Sequence, residues 1–184
     1  MRLFFLILCT VFALSVSAKA QQTPPSAAAI APAPAGGPPA GGTPLKIPFD
    51  IPYGTPITLD HAKQLISAVQ DEATKRGWKF NISVVDPNGD LIAFVRMDGA
   101  MLPSIMVSQN KARTAARWRR ETRVFYNLYE AGHSYVGTLD PQLAASPGGY
   151  PLIEDGKIIG AIGCSGGTGD QDALVCKVGA DLVK

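Results

Sequence analysis

Apolar residues recur at helical spacing at Leu59, Ala62, Leu65, Ile66, Val69 and Ala73, with Thr58 placed to cap the segment and Gly77 to stop it. The pattern then shifts to period two. Phe80 to Asp86 is rich in β-formers, Asp86-Pro87-Asn88-Gly89-Asp90 is a turn signal, and Leu91 to Met97 reads as a second strand ended by Asp98-Gly99. Ser104 to about Trp118 reads as a helix with Ile105, Ala112, Ala115 and Ala116 on its buried side. Glu121 to Tyr129 predicts a short helix closed by Gly132, and His133 to Ser146 is irregular. Tyr150 to Ile153 predicts a short strand, Glu154-Asp155-Gly156-Lys157 a turn, and Ile158 to Cys164 a strong strand. A terminal helix starts at Gly169 or Asp170 and carries Ala173, Leu174, Cys176, Val178 and Leu182.

The last strand sets the expected architecture. Alternation points Ile158, Gly160, Ile162 and Cys164 to one side and Ile159, Ala161 and Gly163 to the other. Neither face is polar, so both are expected to be covered. The element order predicts an α/β (α+β) domain with an antiparallel sheet between helical layers.

Upstream of residue 57 the composition changes. Met1-Arg2, an apolar run from Leu3 to Ala18, and Ala18-Lys19-Ala20 match a secretory signal cleaved after Ala20. Cys9 lies inside the run, far from the exit site, which argues against a lipoprotein anchor. Residues 21–56 form a Pro/Ala/Gly-rich tract, read as a flexible tether. Ile47, Phe49, Ile51 and Tyr53 alternate with polar residues and prolines, which places the tether's end on the domain surface. The folded unit is then residues 57–184, expected in the periplasm or outside the cell with no membrane contact after cleavage. The chain of 184 residues has 17 Lys+Arg against 15 Asp+Glu, and Arg2 and Lys19 belong to the leader. The balanced remainder argues against nucleic acid as a partner.

Several segments carry a family resemblance. They are Ile82-Ser83-Val84-Val85-Asp86-Pro87-Asn88-Gly89, Arg96-Met97-Asp98-Gly99-Ala100, Lys111-Ala112 with Thr114-Ala115-Ala116, and Gly148-Gly149-Tyr150-Pro151-Leu152. Ile159-Gly160-Ala161-Ile162-Gly163-Cys164-Ser165-Gly166-Gly167-Thr168 and Gln171-Asp172 complete the set. Together they resemble the GlcG/HbpS family of haem-binding proteins, also found as the C-terminal domain of PduO-type proteins. The resemblance implies a profilin-like three-layer α/β/α fold with a five-stranded antiparallel sheet, and homo-oligomers. For some members it implies haem binding, with a role in haem storage, sensing or degradation.

Haem needs an apolar slot, an axial ligand and cations for its propionates. His61 lies in the first turn of the first helix, about 40° from Leu65 on the wheel at the edge of the apolar stripe. That position suits a ligand at a cleft or subunit interface, although a half-exposed surface histidine is the commoner case. His133 follows Gly132 in the irregular stretch and can ligate a metal if that loop covers a pocket; otherwise it is an ordinary loop residue. Met97, Met101 and Met106 are alternative soft ligands, and Tyr126, Tyr129, Tyr135 and Tyr150 can supply phenolate. Lys111, Arg113, Arg117, Arg119, Arg120 and Arg123 form the densest basic stretch, suited to propionates, to another carboxylate, or to a solvated helical face. Lys111 falls within the resembling segment. Gly163 to Gly169, with Gly166 at its centre, can present backbone N–H groups to an anion.

Gly163-Cys164-Ser165-Gly166-Gly167 matches a nucleophile elbow formally, but a hydrolase also needs a parallel sheet and a positioned histidine, so the match is read as chance. Cys164 and Cys176 can form a bridge, yet a helix layered on a sheet usually holds facing Cα atoms beyond reach, which favours two unbridged buried cysteines. No acid/base or metal constellation stands out, so a binding protein is favoured over an enzyme. Its ligand is haem or, as the alternative, a small organic acid.

Overall fold

The computed structural model describes Ile47 and residues 49–184; the leader and the tether as far as Lys46 lie outside the described residues. Helix α1 (Leu59–Lys75) forms where the apolar spacing predicts it. Thr58 Oγ1 accepts the His61 N–H at its N-terminus, and Ala62, Leu65, Ile66, Val69 and Ala73 are buried. The hairpin follows as β1 (Asn81–Val85) and β2 (Leu91–Arg96), then α2 (Ser104–Arg117), α3 (Arg123–Glu130), a 3-10 helix (Ser134–Thr138), β3 (Gly149–Glu154), β4 (Lys157–Ser165) and α4 (Gly169–Ala180).

The sheet has four strands in the order β2-β1-β4-β3, every neighbouring pair antiparallel. α1 and α4 cover one face over Ile82, Val84, Leu152, Ile162 and Cys164. α2 covers the other, with Ala112, Ala115 and Ala116 against Val85 and Ala161. Gly149 and Gly163 are cross-strand partners directly beneath α2. A Cβ on Gly163 would collide with Ser108 O and Ala112 N, and one on Gly149 with Lys111 O. The glycine pair is what lets the helix rest on the strand backbones.

Two expectations need correction. The resemblance implies five strands, but the described residues hold four. Between α3 and β3 the chain carries Pro141 and Pro147, which cannot donate to a ladder, and it folds as the 3-10 helix and turns. Strict alternation along β4 also fails. Leu152 pairs with Gly160 and Ile153 with Ile158, so Ile159 is a bulge residue. The bulge turns Ile159 into the same core as Ile162 and Cys164, while Ala161 faces α2.

The end of the tether is part of this unit. Beyond Ala161, the last β4 residue paired with β1, the open flank of β4 is taken by residues 52–57. Pro52 O accepts from Ile158 N, Gly54 N donates to Ile158 O and Ile57 N donates to Ile159 O, each at 2.8 Å. Pro52 and Pro56 lack the N–H groups that would extend this pairing, so Tyr53 makes a single parallel bridge with Ile158.

Cys164 and Cys176 are joined by a disulfide, with Cα atoms 5.5 Å apart. The approach is closer than a helix layer normally allows because the inner stripe of α4 is small: Ala173, Cys176 and Gly179. A Cβ on Gly179 would lie 2.8 Å from Val69 Cγ2.

Candidate functional site

The glycine segment after β4 leads into α4 through a capping box, in which Thr168 Oγ1 accepts from Gln171 N and Gln171 Oε1 accepts from Thr168 N. This places Asp172 on the inward side of the first turn. Its Oδ1 accepts from Gly166 N at 3.1 Å and Gly167 N at 2.9 Å. Its Oδ2 lies 2.5 Å from Lys111 Nζ, which also donates to Cys164 O at 3.2 Å. Lys111 and Asp172 are both buried. Burial drives the Lys111 pKa down and the Asp172 pKa up, and the attraction between the two opposes both shifts. The loop therefore has its anion in place: the Asp172 carboxylate occupies the N–H groups that an external anion would take. Lys111 and Gly166 are brought together, through a residue to which the sequence reading gives no role.

Tyr150 is elsewhere. It is buried in β3, its hydroxyl donates to Ala173 O at 3.2 Å, and burial followed by the Glu121 charge raises its pKa, so it stays a phenol. It lines a cleft of about 420 Å³ with Arg76, Arg123, Lys177 and the apolar Ala173, Leu174 and Val178. Each cation there has a carboxylate from the same cleft. Arg76 pairs with Glu72 at 2.6 Å, Lys177 with Asp181 at 2.6 Å and Arg123 with Asp170 at 2.8 Å. The cleft is charge-balanced and offers no surplus cation to an acid.

His61 is half-buried, eleven residues before Glu72 and so about 16 Å along α1 from the Tyr150 cleft. Its backbone is held by Thr58, and neither ring nitrogen has a hydrogen-bond partner among the described residues. That ring can serve as an axial ligand. His133 is exposed at the start of the 3-10 helix, its ring 6.0 Å from that of Tyr135. Arg113 sits at the hairpin end of α2 and donates Nε–H to Gly89 O at 3.2 Å. Among the described residues no three His, Cys, Asp or Glu side chains gather as a metal site, and no described helix is long and apolar enough to cross a membrane.

The remaining basic residues hold the tether's end. Arg119 Nη1 donates to Ile51 O at 3.2 Å, Tyr53 Oη donates to Arg117 O at 2.9 Å, and the Arg120 guanidinium lies 3.4 Å from the Phe49 ring centroid. Arg117 pairs with Asp140 at 3.5 Å. The candidate residues thus fall into separate places rather than one pocket. A second feature absent from the sequence reading is the polar seam beneath α2, where Ser83 Oγ and Ser108 Oγ are 2.9 Å apart and both buried. Serines at 104 and 108, one helical turn apart, carry that signal but read equally well as a solvent face.

Comparison with known proteins agrees with this architecture. Protein GlcG of Escherichia coli K12 is 44% identical over 109 residues, covering 59% of this chain and 81% of that protein. The crystal structure of a double mutant of Streptomyces reticuli HbpS superposes with a TM-score of 0.66 at 27% identity, over 79% of this chain and 99% of that one. A PduOC chain solved as a haem complex superposes with a TM-score of 0.66 at 26% identity, over 71% of this chain and 96% of that one. The profile of the family described as "Haem degrading protein HbpS-like" matches residues 57–181, and with α1, the sheet and α4 all inside that span, the chain belongs to the HbpS-like family.

Proposed function

We propose that this chain is an exported haem-binding protein in which His61 is the axial ligand. The observation that carries the reading is the shared fold with the PduOC chain solved with haem. The half-buried imidazole of His61, with both ring nitrogens unengaged among the described residues, supports it. Bound haem would supply an iron centre; the chain's part is to offer a nitrogen donor and an apolar wall. The neighbouring Leu59, exposed at 47%, is apolar surface of that kind. The Tyr150 cleft does not include His61, and in this reading the second wall comes from another copy of the chain.

Export is supported by the leader pattern and by the disulfide, which persists in oxidising compartments. The small-acid alternative has no support at Lys111 or at the Tyr150 cleft, because Lys111 is committed to Asp172 and the cations of that cleft are paired. The test is to mix the mature chain with equimolar haemin and desalt it. A Soret band travelling with the protein is expected; haem left entirely on the column removes the reading.

A further inference from the structure

We propose that residues 49–51 are a displaceable strap over a binding platform for a flat aromatic carboxylate, built from Trp118, Arg119, Arg120 and Phe125. The strap lies ahead of the family span, which begins at residue 57. It covers two adjacent guanidiniums that have no carboxylate partner among the described residues. Arg119 adopts a left-handed backbone with φ 56°, a conformation that a side chain disfavours. In that conformation its guanidinium reaches Ile51 O at 3.2 Å.

Arg120 stands among three rings. Its guanidinium carbon is 3.4 Å from the centroid of Phe49, 5.1 Å from Phe125 and 5.8 Å from Trp118. Trp118 and Phe125 brace each other edge to face at 5.6 Å. Two of these rings belong to the domain and one to the strap. Phe49 therefore occupies the place of a planar ligand ring. It satisfies the guanidinium's face; Arg120 Nε donates to Trp118 O at 3.1 Å, and no carboxylate meets the remaining N–H donors among the described residues. A ligand carrying both a ring and a carboxylate makes the stacking contact and adds the charge-assisted hydrogen bonds. Burial, and after it the charge of Arg119, lower the Arg120 pKa. Only the segment as far as Ile51 needs to lift, since Pro52, Gly54 and Ile57 are bonded to β4 and Ile57 is buried in the core.

This inference stands apart from the haem reading, since the probe carries no iron and needs no His61. The full mature chain is titrated with 2-naphthoate by calorimetry, beside Phe49→Ala and Phe49→Ala/Arg120→Met. Removing the resident ring relieves competition, so Phe49→Ala binds about tenfold more tightly than the unaltered chain. Adding Arg120→Met abolishes the gain. Equal or weaker binding by Phe49→Ala, or a gain that survives Arg120→Met, overturns the proposal. Chymotrypsin gives an independent reading on the unaltered chain. Saturating 2-naphthoate accelerates cleavage after Phe49; unchanged or slower cleavage contradicts a strap that lifts.

Discussion

Lys111 Nζ meets Asp172 Oδ2 at 2.5 Å, joining the helix on one face of the sheet to the helix on the other around the end of β4. The pair is fully walled in, with side chains 0% and 4% exposed. Breaking a buried pair is costly because the surviving charge keeps its desolvation penalty. Lys111→Met is expected to cost about 3–5 kcal/mol in urea unfolding at pH 7. Adding Asp172→Asn removes the stranded charge while keeping an acceptor for Gly166 and Gly167, so the double variant recovers much of the loss. In Lys111→Met the Asp172 pKa lies further above its unfolded value. The deficit is therefore present at neutral pH and shrinks as pH falls and the carboxyl protonates. Strictly additive losses in the double variant would contradict the pairing.

Tyr150 gives a pH-dependent prediction of opposite reach. Its folded pKa is raised, chiefly by burial, above the ordinary value of 10.0. In the unfolded chain the phenol ionises from about pH 10, whereas the folded state holds its proton. Stability from this group is complete below pH 10 and declines as pH rises beyond it. Tyr150→Phe removes that term, so its stability falls less steeply between pH 10 and 11 than that of the unaltered chain. Parallel slopes for the two proteins would show that burial does not hold the proton on the Tyr150 hydroxyl.

Much of the scaffold was legible because burial follows periodicity. Five of the six apolar positions marked on α1 are buried, and only Leu59, in the first turn, stays outside. The hairpin turn was readable from its local chemistry, and the start of α4, expected at Gly169 or Asp170, is Gly169. The bulge at Ile159 was not, since it is set by the packing of β3 against β4 rather than by any residue type. Asp172 was opaque for a different reason. An acid in the first turn of a helix is common on surfaces, and only the tertiary approach of α2 turns it inward. The basic stretch was visible as charge, but its residues part company in space: Lys111 points to the sheet end, Arg113 to the hairpin, and Arg119 and Arg120 to the strap.

The disulfide closes a loop of 12 residues between the end of β4 and the middle of α4. Loops of this size lose about 2–4 kcal/mol when opened. Cys164→Ala/Cys176→Ala, or reduction of the unaltered chain, should lower the thermal midpoint by several degrees with the fold retained, because the same helix is still anchored by Asp172. An unchanged midpoint in reductant would mean that the bridge adds nothing to the docking of α4.

Haem binding through His61 is read out by a spectral titration with haemin. Unaltered chain, His61→Ala and His133→Ala are titrated in parallel and followed across the Soret region. Saturation at a fixed stoichiometry is expected for the unaltered chain and for His133→Ala, with a shifted band and weaker binding for His61→Ala alone. Identical spectra and affinities for His61→Ala and the unaltered chain would contradict it.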